Sequence, residues 1–245
     1  MRDLDLGERP WILGHRGAAA DALENTLESF ALARREEANG VELDVQLSRD
    51  GMLFVFHDWS LERLAGDHQE VELSTAVELG EVRLAGRERI PTFAEALESL
   101  PRDYPLNIEL KRHNASRAAL AAAIAEAVGD RAQLLISSFD WELLAAVRDL
   151  APDLPLAPLA DRDGPALLAA GEELSAWSLH CHRRLARRAL LEGATRSGRP
   201  VLAYTVDDAA EARRLFARGV AGVFTNRPGA LRRELASGKG ADDAS

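Results

Sequence analysis

The chain of 245 residues carries a formal net charge of −10 and is 47% hydrophobic, the composition of an ordinary globular protein. The negative charge argues against nucleic acid or an anionic membrane as partner, so an anionic substrate would need local cations. The single cysteine, Cys181, excludes an internal disulfide. We see neither the apolar core of a signal peptide nor an apolar run of membrane-spanning length, so we expect a cytoplasmic protein without a membrane anchor.

The chain opens with a predicted strand and helix. Residues 11–14 are a short apolar run that favours a buried strand, and His15-Arg16-Gly17 follows it directly. Asn25-Thr26-Leu27-Glu28 is typical of a helix start, with Asn25 as the expected N-cap. Asn39-Gly40 is typical of a helix end.

A β-hairpin is predicted next. Residues 41–47 and 52–57 favour two strands that pair antiparallel across a turn at Asp50-Gly51. Because strand side chains alternate between faces, Glu42 and Asp44 point the same way. Two carboxylates on one face of an apolar strand repel each other and resist burial, and a bound cation would reverse that penalty.

Residues 59–90 are polar and broken by glycines, and they predict an insertion with one short helix. Strand and helix then alternate to the end of the chain. Strands are predicted at 105–111, 133–138, 154–160, 176–181, 200–206 and 220–225, and helices at 93–100, 115–128, 140–149, 165–174, 183–196, 208–218 and 228–235.

Repeated strand–helix units predict an α/β fold, a (β/α)8 TIM barrel, with the second hairpin arm outside the eight barrel strands. An open doubly wound sheet is the alternative, but no Gly-x-Gly-x-x-Gly run follows the first strand. We expect a single domain over residues 1–236 and a disordered tail over 237–245.

Functional residues of such barrels lie at the carboxyl ends of the strands. The polar residues found at those ends are His15, Arg16, Glu42, Asp44, His57, Glu109 and Lys111. Each has a structural alternative when taken alone: a solvated strand face for Glu42 and Asp44, a core position for His57, and a mutual ion pair for Glu109 and Lys111. Their common position in otherwise apolar segments favours a joint role.

The chemistry that needs this set is hydrolysis of a phosphate ester. The three carboxylates supply hard oxygen ligands for Mg²⁺ or Ca²⁺, and such a cation polarises a phosphoryl oxygen. Arg16 and Lys111 would hold the remaining phosphate oxygens. His15 and His57 would serve as general base and general acid, in an order that the sequence leaves open, because imidazole titrates near neutral pH.

A series of short motifs runs through residues 11 to 235 of the chain. It includes Gly14-His15-Arg16-Gly17, Glu24-Asn25-Thr26, Val41-Glu42-Leu43-Asp44-Val45, Phe56-His57-Asp58, Asn107-Ile108-Glu109-Leu110-Lys111 and Thr225-Asn226-Arg227-Pro228. In this order the motifs resemble those of the glycerophosphodiester phosphodiesterase family, within the phospholipase-C-like phosphodiesterases. The resemblance implies a (β/α)8 barrel that cleaves glycerophosphodiesters to glycerol 3-phosphate and an alcohol, in lipid and glycerol metabolism. It implies the same three metal ligands, the same acid/base pair and the same phosphate-binding cations.

Two further residues end predicted barrel strands. His180 and Tyr204 are candidates for substrate contact, with filling of the barrel interior as the alternative for each. Tyr204 replaces a tryptophan that the family usually carries, and the 59–90 insertion is unusual, so the head-group preference stays open. Glu24 is assigned to the start of the helix, where an acid is favoured by the helix dipole, with support of the active-site loop as the alternative.

Two other functions use the same residues. A lysophospholipid substrate would give a phospholipase-D-like reaction, which needs an apolar groove for an acyl chain. A barrel that binds a phosphate ligand without cleaving it is the alternative of another class, but it would need the cations and not two imidazoles. The choice between Mg²⁺ and Ca²⁺ and the oligomeric state are open at this stage.

Overall fold

The computed structural model describes residues 4–237 of the chain. The strands of this part are β1 (Trp11–Gly14), β2 (Gly40–Leu47), β3 (Leu53–Val55), β4 (Leu106–Leu110), β5 (Leu134–Ser138), β6 (Leu156–Ala160), β7 (Leu179–His182), β8 (Val201–Tyr204) and β9 (Gly222–Thr225). The α-helices are α1 (Leu27–Arg35), α2 (Glu62–Ala65), α3 (Ala76–Glu81), α4 (Phe93–Ser99), α5 (Arg117–Val128), α6 (Trp141–Leu150), α7 (Gly164–Glu173), α8 (Arg188–Arg196), α9 (Ala209–Ala217) and α10 (Pro228–Ser237).

Eight of the strands form a closed parallel barrel. Around the barrel they follow the order β1, β2, β4, β5, β6, β7, β8 and β9, and β1 pairs with both β9 and β2 to close it. Strand β3 lies outside and pairs antiparallel with β2. The predicted (β/α)8 TIM barrel with a hairpin at the second strand is therefore confirmed.

The alternation along β2 divides its side chains between the two faces of the barrel wall. Val41, Leu43 and Val45 pack outward in a buried apolar cluster that also contains residues of the surrounding helices. Glu42 and Asp44 take the opposite face, inside the barrel. In the parallel register, Glu42 is paired with Asn107 and Asp44 with Glu109 on β4, so polar side chains of two strands are neighbours there.

The 59–90 insertion is more structured than the sequence predicts. It contains two short helices, α2 and α3, and a 3-10 turn, where one short helix was expected. Its apolar residues do not follow one helical period, but they pack with the hairpin arm in a cluster of their own: Phe54, Phe56, Leu61, Val71, Leu79, Leu84 and Ile90. The buried carboxylate of Glu72 also accepts hydrogen bonds from the backbone nitrogens of His113, Asn114 and Ala115, which ties the insertion to the segment after β4.

Several predicted strand and helix boundaries are wrong by a few residues, and two of these differences have a visible cause or form. The second hairpin arm, expected over 52–57, is a strand only from Leu53 to Val55. Beyond Val55 the carbonyls of Phe56 and Asp58 accept from the side-chain amide of Gln46 and not from a backbone nitrogen of β2. The helix expected over 183–196 begins at Arg188 and is preceded by a separate 3-10 turn.

Ser237 ends α10, and the rest of the tail predicted over 237–245 lies outside the described residues. No helix within residues 4–237 has the length and apolar character needed to cross a bilayer.

Candidate active site

The predicted site residues meet around a cavity of about 290 Å³ at the carboxyl ends of the barrel strands. Eight of the nine line it: His15, Arg16, Glu42, His57, Glu109, Lys111, His180 and Tyr204. Asp44 lies buried beside them, in register with Glu109. A larger surface cavity of about 870 Å³ lies against α8 and contains none of these residues.

Glu42, Asp44 and Glu109 form a compact acidic cluster. Each offers one carboxylate oxygen, and these oxygens all lie within 4.8 Å of one another. All three residues are buried, which follows from their place on the inner face of neighbouring strands. Burial, together with repulsion from the other two carboxylates, raises the pKa of Glu42 well above its usual value, and burial also raises the pKa of Glu109.

These residues fit a hard divalent cation. Glu42 Oε1 and Asn107 Oδ1 are buried oxygens without a hydrogen-bond partner in the described part of the chain, and the two residues are neighbours in the strand register. Buried polar atoms normally have a partner, and a missing ion is one reason why such an atom lacks it. Several carboxylate oxygens and an amide oxygen are the donors that Mg²⁺ and Ca²⁺ take.

Two cationic side chains lie against the acidic cluster. Lys111 Nζ is 3.2 Å from Asp44 Oδ1 and also donates to Glu109 Oε1, while Arg16 Nε is 3.2 Å from Asp44 Oδ2. Burial alone would raise the pKa of Asp44, but these two cations hold it well below its usual value. With all three carboxylates ionised, the two cations leave the group with one negative charge.

His15 is held by a chain of two further side chains. Its Nδ1 lies 2.8 Å from Asn226 Oδ1, and Asn226 Nδ2 donates to Asp207 Oδ2 at 2.7 Å. Since this bond to a carboxylate fixes which end of the amide is the nitrogen, the amide oxygen faces His15 and accepts a hydrogen bond from Nδ1–H. Nε2 of neutral His15 is then the unprotonated nitrogen. Burial, reinforced by the Arg16 charge, lowers the pKa of His15.

His57 is held differently, by a carboxylate. Its Nδ1 lies 2.7 Å from Asp58 Oδ1, and Arg63 Nε donates to the other oxygen of Asp58 at 2.5 Å. Arg63 also donates to both oxygens of Glu24, at 2.7 and 2.9 Å, and Glu24 accepts from Arg16 Nη1 at 2.7 Å. Burial lowers the pKa of His57, whereas the Asp58 hydrogen bond acts in the opposite direction. Glu24 therefore supports the active-site loop, a role beyond the helix-start assignment.

Asn25 has a role that the sequence did not reveal. The N-cap of α1 is Thr26, whose hydroxyl accepts from Ser29 N, and the prediction of Asn25 as N-cap is wrong. Asn25 has a φ of 57° in the left-handed region, which asparagine tolerates better than most residues. Its side chain donates to Asp44 Oδ2 at 2.8 Å and accepts from the Asp44 backbone at 3.2 Å.

The two remaining candidates differ in environment. His180 is fully buried inside the barrel, with Nε2 3.0 Å from Ser178 Oγ, and burial lowers its pKa to about 3. Its ring borders the cavity and contacts Phe224 edge-on, with 4.9 Å between centroids. Tyr204 also lines the cavity, and its hydroxyl donates to Asp161 Oδ1 at 3.0 Å.

Sequence reasoning missed the side chains that hold the predicted residues: Asn25, Asp58, Arg63, Asp207 and Asn226. Asn25, Asp58 and Asn226 lie within the motifs quoted above, whereas Arg63 and Asp207 lie outside them. The adjacency of His57 and Asp58 was a usable signal for one pair. The others come from segments far apart in the chain, as in the 211 residues that separate His15 from Asn226.

Comparison with known proteins places the chain in a family. Residues 15–230 match the Glycerophosphoryl diester phosphodiesterase family. A glycerophosphodiester phosphodiesterase of Caldanaerobacter subterraneus subsp. tengcongensis is 30% identical over 233 residues, which cover 90% of this chain and 95% of the relative.

Solved structures agree. An Oleispira antarctica phosphodiesterase, in complex with the product sn-glycerol-3-phosphate, superposes with a TM-score of 0.87 at 29% identity, over 93% of this chain and 97% of the other. The glycerophosphodiester phosphodiesterase of Thermotoga maritima has a TM-score of 0.80 at 31% identity, over 93% and 99%. The chain belongs to the glycerophosphoryl diester phosphodiesterase family, a family of phosphoric diester hydrolases.

Proposed function

We propose that the protein hydrolyses glycerophosphodiesters to glycerol 3-phosphate and an alcohol, with Mg²⁺ or Ca²⁺ as cofactor. The observation that carries the proposal is the convergence of three buried carboxylates, two cations and two held histidines on one cavity. The relative from Oleispira antarctica, solved with sn-glycerol-3-phosphate, supports a small phosphorylated ligand for a barrel of this kind.

Glu42, Asp44 and Glu109 would hold the cation. When bound, it supplies a Lewis acid that polarises a phosphoryl oxygen and offsets charge in the transition state. The electrostatics of the chain agree with this need, because the site with all three carboxylates ionised and no bound cation has an excess negative charge, which repels a phosphodiester. A bound divalent cation adds two positive charges and makes the net charge of the site positive.

Arg16 and Lys111 are the phosphate-binding side chains in this proposal. Both line the cavity and both are held in place by Asp44. A carboxylate that holds a basic side chain in place reduces the conformational freedom of that side chain before a phosphate binds. Less entropy is then lost on binding. The pair is therefore preorganised toward the phosphodiester.

The hydrogen-bond partners of the two histidines support a division of roles between them. His15 donates from Nδ1 to a neutral amide, which leaves Nε2 of the neutral ring as a proton acceptor, so we assign His15 as the general base. His57 donates from Nδ1 to Asp58, and a carboxylate stabilises the protonated ring, so His57 is the general acid that protonates the leaving alcohol. Burial lowers the pKa of both histidines, which favours the neutral form of each ring.

Two other functions have less support. The cavity, about 290 Å³, is at the lower end of ligand-pocket sizes, which favours a small glycerophosphodiester over a lysophospholipid with its acyl chain. A phosphate-binding barrel without activity has no use for two oriented imidazoles.

The direct test is glycerol 3-phosphate release from glycerophosphocholine and glycerophosphoethanolamine, with Mg²⁺ or Ca²⁺ and then with EDTA. Turnover should require the cation, and lysophosphatidylcholine should be a poorer substrate. His15→Ala and His57→Ala should each lower kcat by about 10²–10⁴, the usual contribution of a general acid or base. His68→Ala is the matched control, since the His68 side chain is 84% exposed and lies outside the cavity. No product with any cation, or wild-type rates in either variant, would overturn the proposal.

A further inference from the structure

The wall of the cavity opposite His15 is built from a carboxylate and two aromatic rings. Strands β1 and β6 are four places apart in the barrel of eight, and Asp161 follows β6 directly. Phe139 follows β5 and Tyr204 ends β8, and all three residues line the cavity that also holds Arg16 and Lys111.

The three side chains are held in one arrangement. The Tyr204 hydroxyl donates to Asp161 Oδ1 at 3.0 Å, and the rings of Tyr204 and Phe139 meet edge to face, with centroids 6.0 Å apart at 81°. His182 contacts the Tyr204 ring at 6.2 Å between centroids. Within residues 4–237, Asp161 forms no ion pair, so its charge is uncompensated.

Such an arrangement recognises a cation. An ammonium group is attracted by aromatic ring faces and by a nearby carboxylate. Asp161 and Phe139 are both exposed to solvent, so they are open to a head group that reaches the cavity mouth. The Phe139 ring shows this attraction to a cation within the protein itself, because Lys111 Nζ lies 5.8 Å from its centroid. Phe139 thus stands between the phosphate-binding Lys111 on one side and Tyr204 and Asp161 on the other.

We infer that Asp161, Phe139 and Tyr204 form a subsite for the cationic group of an amino-alcohol head group. The substrates favoured by this subsite are glycerophosphodiesters whose leaving alcohol carries an ammonium or quaternary ammonium group. The inference rests on the proposed function and specifies its substrate class: the phosphate lies at Arg16 and Lys111, and the cation of the head group lies against Asp161.

An anionic head group would need cations on the same wall. The 183–188 segment after β7 is rich in arginine, but none of its residues lines the cavity. Arg183 donates to the carbonyl of Thr205 and pairs with Glu211 at 3.1 Å, and Arg188 pairs with Glu192 at 2.6 Å. These contacts engage both charges, and neither arginine is among the residues that line the cavity, so the charged residue lining this wall is Asp161.

The test compares kcat/KM for glycerophosphoethanolamine and glycerophosphocholine with that for glycerophosphoglycerol, whose leaving alcohol is neutral. Asp161→Asn keeps the shape and the acceptor for Tyr204 but removes the charge. We expect it to lower kcat/KM for the two cationic substrates by about tenfold to a hundredfold, the range of a hydrogen bond to a charged group, and to change the neutral substrate less than about twofold. Phe139→Leu should act in the same direction with a smaller effect, and Asp149→Asn, an exposed charge on α6, is the control.

The results distinguish a wrong subsite from a wrong proposed function. An equal loss of kcat/KM on all three substrates would show that Asp161 contacts the glycerol common to them. Unchanged kcat/KM values on all three would show that Asp161 contacts no part of the substrate. Either result overturns the subsite while the proposed function stands. Absence of wild-type turnover on every substrate would overturn the proposed function and this inference with it.

Discussion

His15 Nδ1 lies 2.8 Å from Asn226 Oδ1, and this contact joins the first barrel strand to the loop after the last one. Because Asp207 accepts from Asn226 Nδ2, the amide presents its oxygen to the imidazole and selects one tautomer of His15. The tautomer proposed for the general base is therefore set by residues about 200 positions away in the chain.

Asn226→Ala tests this positioning role. Without the acceptor, His15 is free to take the wrong tautomer, and we expect kcat to fall by about tenfold to a hundredfold, the usual cost of losing a group that orients a functional imidazole. The double variant distinguishes this positioning role from a purely structural one. If Asn226 acts through His15, the double variant with His15→Ala should have the same kcat as His15→Ala alone, because the two residues act as a unit. Multiplicative losses in the double variant would contradict the assignment.

Arg63 connects the two sides of the site. It donates to Asp58, which holds His57, and with two nitrogens to Glu24, which holds Arg16. Lysine keeps the charge but cannot reproduce this forked geometry, so we expect Arg63→Lys to lower kcat about tenfold while the thermal midpoint changes little. Arg89→Lys is the control, because Arg89 makes one exposed pair with Glu95 in the same part of the chain. Equal rates for the two variants would contradict a role of Arg63 in holding His57.

Glu42→Gln separates stability from function. The buried Glu42 carboxylate is repelled by Asp44 and Glu109, and burial and this repulsion raise its pKa. A neutral amide relieves the repulsion and can still accept the Arg16 backbone bond, so we expect the cation-free variant to melt about 2–4 °C above the cation-free wild type, which corresponds to about 1 kcal/mol in a protein of this size.

Added Mg²⁺ or Ca²⁺ should then raise the Tm of the wild type and leave that of Glu42→Gln nearly unchanged, because a ligand stabilises only the protein that binds it. Glu98→Gln, at an exposed position of α4, should respond to the cation as the wild type does. A Glu42→Gln variant that is stabilised by the cation as strongly as the wild type would place the cation elsewhere.

His180 predicts a pH dependence of stability. Burial lowers its pKa to about 3 in the folded protein, against about 6.5 in an unfolded chain, so between these values the unfolded state binds more protons. Its contribution to stability is therefore complete above pH 6.5 and is lost as the pH falls toward 3, by about 2 kcal/mol at pH 5. His180→Met should lose less unfolding free energy between pH 7 and pH 5 than the wild type, as urea unfolding would measure. Parallel losses in the two proteins would contradict a neutral, buried imidazole.

The barrel could be predicted because its strands and helices are regular. Each apolar run between turn residues corresponds to a strand, and the alternation at Glu42 and Asp44 places both acids inside the barrel, as the register with β4 shows. The insertion was predicted less well, since α2 and α3 have four and six residues and are too short for a periodic signal. Their apolar residues find a common cluster only in three dimensions.

The reactive side chains of the candidate site could be predicted from the sequence, but the side chains that hold them in place could not. His15, Arg16, Lys111 and the carboxylates have residue types that indicate chemistry at strand ends. Asn25 does not, because an asparagine before a helix is most often a cap, and its bond to Asp44 requires a left-handed backbone that no local pattern indicates. The general lesson is that a sequence shows which groups can react, whereas the groups that hold them depend on tertiary contacts.

The central claim is that Glu42, Asp44 and Glu109 hold the catalytic cation. Crystals of the protein soaked with Mn²⁺ as an anomalous scatterer test it most directly, in parallel with an assay showing that Mn²⁺ supports turnover. We predict one anomalous peak among the carboxylate oxygens that now lie within 4.8 Å of one another, and its loss in Glu42→Gln crystals. Turnover with Mn²⁺ but no peak between these three residues, or a peak only at another site, would contradict the claim.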